Sequence, residues 1–183
     1  MQTQGRNPEK QGPSYAPCVQ DQESVEFARQ IFMLVRRGDA ETLAALLEYG
    51  LPANLCNREG DGLLMLAACN GHLDAAEVLL ANGADTELRN DCGQTPLAGA
   101  AYKGDYAMVK LLLAHGADVE GRAPDGKTAL MYAAMFNRTD IIDLLLSHGA
   151  DIGAHDERGM TALEAARVMD AQDAAARLES RMH

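Results

Sequence analysis

Two histidine–aspartate pairs are the first residues in this chain that could do chemistry. His115 and Asp118 flank a glycine in LLLAHGAD (111–118), and His148 and Asp151 do the same in LLLSHGAD (144–151). An imidazole beside a carboxylate is the composition of a general base with its orienting partner, or of half a metal site. Four cysteines, Cys18, Cys56, Cys69 and Cys92, add thiols that could bind metal or change redox state. They contain no Cys-x-x-Cys pair, which weakens a zinc reading. No glycine-rich phosphate loop or nucleophile elbow stands in a convincing context.

Spacing decides what the histidines and aspartates are. Glycines fall at 60, 93, 126 and 159, at 50, 83, 116 and 149, and at 38, 71 and 104, each series stepping by 33 residues. The third series continues to Asn137, the residue after glycine best suited to a left-handed backbone. Three series in one register define an internal repeat. The slot of His115 and His148 is Asn82 and Tyr49 in other units. A cation there complements the negative end of a helix, worth about 0.3–1 kcal/mol when charged, and no ligand role is required. Asp85, Asp118 and Asp151 follow Gly-Ala in a turn, where a short acidic side chain bonds nearby backbone N–H groups. Stacked helical units lie roughly 8–10 Å apart, too far for these aspartates to share one metal. His72, after Gly71, is read as structural on the same grounds.

Each unit reads as two short helices. The first opens at Thr95-Pro96, Thr128-Ala129 or Thr161-Ala162, with threonine as N-cap and proline at the first helical position. Glu164 completes a capping box with Thr161. Short apolar segments such as LAGAA and LMYAA follow, their alanines permitting close approach of the next unit. A second helix carries AAEVLL, AMVKLLL or IIDLLL and stops at the next glycine. About ten residues then form an extended turn. One unit has GLLM (62–65) at the threonine position, so its first helix should be less well capped. Gly99 lies mid-helix at a cost of about 0.5–1 kcal/mol relative to alanine, and nothing in the sequence explains it.

The stretch GQTPLAGAAYKGDYAMVKLLLAHGAD (93–118) resembles the ankyrin-repeat family, of the small stand-alone bacterial kind. The resemblance implies an all-α ankyrin-repeat solenoid, with stacked helix-turn-helix units joined by extended β-turn loops, over residues 23–183. It comprises a helical N-cap at 24–56, full repeats at about 57–89, 90–122 and 123–155, and a C-cap at 156–183 ending in polar AARLESRMH. Terminal repeats need a solvent-tolerant outer face, which fits both caps. Residues 1–22, polar and rich in Gln, Gly and Pro, are expected to be a disordered tail.

Composition bounds the function. The chain is 47% hydrophobic but 4% aromatic, with no Trp, so its core must be built from Ala, Leu, Val, Ile and Met. A net charge of −11 argues against nucleic acid as a general partner, because phosphate binding needs a basic field. No run of 18 apolar residues suggests a membrane span, and no apolar leader suggests secretion. A cytoplasmic monomer with free thiols and no cofactor or metal is the expectation. A metal or redox cluster of Cys56, Cys69 and Cys92 is the sharper alternative; small, semi-apolar surface residues are preferred.

The resemblance also implies non-catalytic binding of another protein, as adaptor, inhibitor or accessory subunit, through the concave face and turn tips. Alternatives are an accessory protein supporting a bacterial metabolic or stress-defence enzyme, or a secreted host-directed effector. A stand-alone enzyme has no residues to support it. Carried onto this chain, the turn tips supply Arg58 and Asp61; Arg89, Asp91 and Gln94; Arg122, Asp125 and Lys127; and Arg158 and Met160. The ends of the first helices supply Tyr102, Lys103, Met135 and Phe136, together with Arg36, Arg37, Cys69 and Asn70. With Cys56, Glu59, Cys92, Arg122's neighbour Pro124, His155 and Glu157 included, this set holds eight of the 16 Lys+Arg and five of the 27 Asp+Glu. Either tip charges of opposite sign pair and solvate one another, or the patch steers a partner with an acidic or mixed-charge surface. Tyr102, Met135 and Phe136, flanked by cations, have the composition of an interface hot spot; alternatively they cover the groove between first helices.

Overall fold

The structure, a computed structural model, describes residues 22–182, with side chains from residue 26 onward. The tail expected at 1–22, with Cys18, lies outside the described residues except for Gln22. Among the described residues helices come in five pairs: α1 (Gln22–Arg37) with α2 (Ala40–Glu48), α3 (Leu63–Asn70) with α4 (Leu73–Ala81), α5 (Pro96–Lys103) with α6 (Tyr106–Ala114), α7 (Ala129–Met135) with α8 (Thr139–Ser147), and α9 (Ala162–Val168) with α10 (Gln172–Arg181). First helices stack on first helices in chain order, and second helices on second helices. The fold is an all-α solenoid; an isolated bridge, Cys56 to Gly62, closes the turn before α3. No described helix is long and apolar enough to cross a membrane.

Local chemistry places the helix starts. Thr95, Thr128 and Thr161 each accept a backbone N–H three residues on, at 3.3, 3.4 and 3.3 Å. The Thr161 N–H donates back to Glu164 Oε2 at 2.8 Å, which completes the capping box. Gly62 offers α3 no such bond, as the GLLM sequence predicts. Asp39 and Asp105 cap α2 and α6 through Thr42 N and Met108 N, both at 3.0 Å. The left-handed position closing the first helices runs beyond Asn137 (φ 57°) to Asp170 (φ 55°), a fifth member one repeat along.

Packing follows the register. Leu79, Leu112, Leu145 and Leu178, one position in four consecutive second helices, are wholly buried. Ala67, Ala100, Ala133 and Ala166 do the same in the first helices. Small side chains let the first helices close up, while leucines fill the wider space between the second helices. The close approach also explains Gly99. A Cβ there would sit 3.2 Å from Cys69 Sγ and 3.5 Å from Met65 Sδ on α3.

Candidate functional site

Of the residues that suggested catalysis, His148 and the aspartates hold backbone groups through their side chains, and His115 closes a helix through its main-chain N–H. His115 and His148 terminate α6 and α8, and His148 Nδ1 donates to the Leu144 carbonyl at 2.9 Å. Asp85, Asp118 and Asp151 each accept the backbone N–H two residues on, at 2.8, 2.9 and 2.8 Å. His72 Nε2 donates to the Arg36 carbonyl at 2.8 Å, joining the first two units. Among the described residues no group of three or more His, Cys, Asp or Glu is placed to hold a metal. Cys56, Cys69 and Cys92 are free. Burial pushes the Cys56 and Cys69 thiols up; Asp61 and Asp91 add to this at Cys56, and at Cys69 Asp61 adds while Lys103 opposes. A thiol held in its protonated form is a poor nucleophile and a poor metal ligand.

At the turn tips, much of the charge is engaged within the solenoid. Arg89 Nη1 donates to the carbonyls of Gly93 (3.0 Å) and of Arg122 in the next unit. Arg122 Nη1 repeats the arrangement one unit on, to Gly126 at 3.3 Å and His155 at 2.7 Å. Asp61 faces inward along the tips, accepting from Asn57 Nδ2 at 3.3 Å and Asn90 Nδ2 at 3.0 Å. Lys127 pairs with Asp125. Burial pushes the Asp125 carboxyl up, but the Lys127 ammonium and backbone N–H outweigh it and hold the group below the usual carboxylate range. Gln94 is half-buried, its N–H donating to Asn90 Oδ1 at 3.0 Å, and the Met160 N–H donates to Asp156 Oδ1 at 2.9 Å. Asp91, Arg58 and Arg158 remain exposed.

A second set of inter-unit bonds escaped the sequence reading. Asn54, Glu87 and Glu120 share one register position, and each side-chain oxygen accepts from a backbone N–H 31 residues on. The donors are Asp85, Asp118 and Asp151, at 2.8, 2.9 and 2.8 Å. Asp-x-Glu at 85–87 and again at 118–120 was the available signal.

The ends of the first helices form the other part of the face. Tyr102 and Phe136 meet edge-to-face with centroids 4.5 Å apart and planes at 71°. Phe136 and Met135 are half-buried, while Tyr102 keeps 47% of its surface and Lys103 beside it is exposed. The residues in question therefore both cover the helix groove and present a surface. Val168 and Met169 occupy the register positions of Met135 and Phe136 one unit on, and they are 72% and 47% exposed. The sequence reading omitted both, having taken the last unit for a polar cap.

A family model described as ankyrin repeats (3 copies) matches residues 31–123 and 120–179. An ankyrin repeat protein of Pseudomonas aeruginosa is 57% identical over 58 residues, covering 32% of this chain and 34% of its own length. The aligned stretch thus spans about a third of that curated relative.

Proposed function

The chain belongs to the ankyrin-repeat family, and we propose from this that it works as a non-catalytic binding module for another protein, in the manner of an adaptor, inhibitor or accessory subunit. The Tyr102–Phe136 pair carries the reading. Two aromatic rings from adjacent units meet edge-to-face, with an exposed cation, Lys103, next to them in sequence. Aromatic surface beside a cation has the composition of an interface core, and it sits on a scaffold whose repeated turn aspartates, Asp85, Asp118 and Asp151, are bonded to backbone. The partner is read as carrying an acidic or mixed-charge surface. Arg58, Lys103 and Arg158 supply the complementary charge: among the described residues none of the three lies within 4 Å of a carboxylate.

The test is a capture from native lysate with the chain as bait, run beside a Tyr102→Ala/Phe136→Ala double variant and read by quantitative mass spectrometry. A partner should be retained by the parent and lost, by tenfold or more, from the double variant at a temperature where circular dichroism shows both baits folded. Equal retention by both baits would remove the face from consideration.

A further inference from the structure

The ends of the first helices make a ladder with a gradient along it. Its rungs, in register from the first unit to the last, are Arg36-Arg37, Cys69-Asn70, Tyr102-Lys103, Met135-Phe136 and Val168-Met169. The ladder has three cations and no carboxylate, in a chain of net charge −11. All three cations stand on the first three rungs, and the last two rungs are wholly apolar. Arg36, Arg37 and Lys103 are exposed. At the other end Val168 and Met169 expose 72% and 47% of their surface, where the last unit of a solenoid would be expected to be polar. Single exposed apolar residues are ordinary. The exposed Val168–Met169 rung, joined through half-buried Met135 and Phe136 to exposed Tyr102, forms a patch of the kind that marks an interaction surface.

Resting on the protein-binding reading above, we infer that the partner presents one polarised segment. Its apolar side chains lie over Phe136, Val168 and Met169, and its carboxylates lie over Lys103, Arg37 and Arg36. Charge complementarity fixes the direction in which the segment runs, because the reverse orientation would set carboxylates on Val168 and Met169 and leave them without a counter-charge. Rungs follow one another at about the spacing of packed helices, roughly 8–10 Å, so five rungs span roughly 30–40 Å. An extended segment of about 10–12 residues covers that length, as does a helix of about 20–27. Attraction at the cationic end is screened by salt; apolar burial at the other end is not.

The probe is a displayed library of random 24-residue segments selected on the immobilised full chain, and an enriched segment is then synthesised and titrated by fluorescence anisotropy. Enriched segments should join an apolar cluster to an Asp/Glu-rich end. Val168→Lys/Met169→Lys should weaken binding at least tenfold at any salt concentration. Arg36→Glu/Lys103→Glu should weaken it comparably at low salt and reduce its salt dependence. All four positions are exposed, so both variants should melt as the parent does; Met169→Ser provides a milder check. Segments lost on Tyr102→Ala/Phe136→Ala but indifferent to both charge variants would overturn the polarised segment and leave the protein-binding reading intact. Indifference to all three variants would remove both readings. A selection that enriches nothing overturns the inference, as would sedimentation showing a dimer of the parent that Val168→Lys/Met169→Lys dissociates, since a second copy would then occupy the patch.

Discussion

Arg122 donates through Nη1 to the carbonyl of His155, 33 residues on, at 2.7 Å, and Arg89 makes the same bond to Arg122 one unit earlier. Each guanidinium also reaches a carbonyl within its own turn, so it braces the tip it belongs to while fastening the next. Both bonds of each arginine leave one nitrogen, Nη1, whose two N–H groups are fixed in the guanidinium plane; a lysine ammonium has donors enough but no fixed plane to aim them at both carbonyls.

Arg122→Ala should therefore lower the free energy of unfolding by about 0.5–1.5 kcal/mol, the range for a hydrogen bond that is only partly shielded from water. Arg122→Lys should recover less than half of that. Urea denaturation of the two variants decides it, and an alanine variant as stable as the parent would mean that the bracing contributes nothing.

Gly99→Ala separates backbone propensity from packing. In a free helix the change gains about 0.5–1 kcal/mol. Here the new Cβ meets Cys69 Sγ at 3.2 Å, so the gain should be cancelled or reversed. In a Cys69→Ala background the sulfur is gone, and Gly99→Ala should then stabilise. A double-mutant cycle measured by denaturant unfolding gives the coupling directly; additivity of the two changes would refute the steric explanation.

That pair shows where the sequence was legible and where it was not. The 33-residue spacing, the threonine caps and the glycine at each helix end are local signals repeated several times, so fold, register and turn roles could be read without coordinates. Gly99 could not be explained because the atom that excludes a side chain belongs to a residue 30 positions earlier, on the neighbouring helix. For the same reason Arg58 and Arg122 looked alike as turn-tip cations, although Arg122 turns to a carbonyl of the next unit and Arg58 stays in solvent. Val168 and Met169 are legible by register, one repeat past Met135 and Phe136, but the polar run at 175–183 makes the last unit read as a solvent-facing cap. Asp170 was hidden by its type, since glycine and asparagine are the residues one looks for at a left-handed position.

The capping box gives a pH dependence with a definite sign. Bonds from the backbone N–H and then the hydroxyl of Thr161 hold the Glu164 carboxyl below its ordinary range. Its contribution is therefore complete above the unfolded value, about 4.3, and is lost as pH falls through the lower folded value. Glu164→Gln keeps an acceptor at N3 but does not titrate. The stability difference between parent and variant should be constant from pH 7 to about 5 and shrink below that. Acid-side unfolding followed by circular dichroism checks it, and a difference that grew on acidification would have the wrong sign.

Asn137 shows why the third glycine series could tolerate a side chain at that point. Its backbone is left-handed, φ 57°, which costs a side chain little only when that side chain is Asn or Asp. The amide also does what the N-cap of α10 cannot. Ala171 stands at that cap without a side-chain acceptor, and Asn137 Oδ1 accepts the Ala174 N–H at 2.8 Å while Nδ2 donates to Asp173 Oδ2 at 3.0 Å. One residue in the fourth unit thus caps a helix in the fifth. Asn137→Gly relieves the backbone but removes the cap, and should cost about 0.5–1.5 kcal/mol. Asn137→Ala removes the cap and keeps the unfavourable φ, adding a further cost of roughly 1 kcal/mol. Placing an acceptor back at the cap, as Ala171→Asp does in the Asn137→Gly background, should restore most of the loss, because the Ala174 N–H then has a local partner. Hydrogen exchange at Ala174 reports the bond itself: its protection should fall in Asn137→Gly and return with Ala171→Asp. Protection that stays at the parent value in Asn137→Gly would show that the amide is not what holds this helix end.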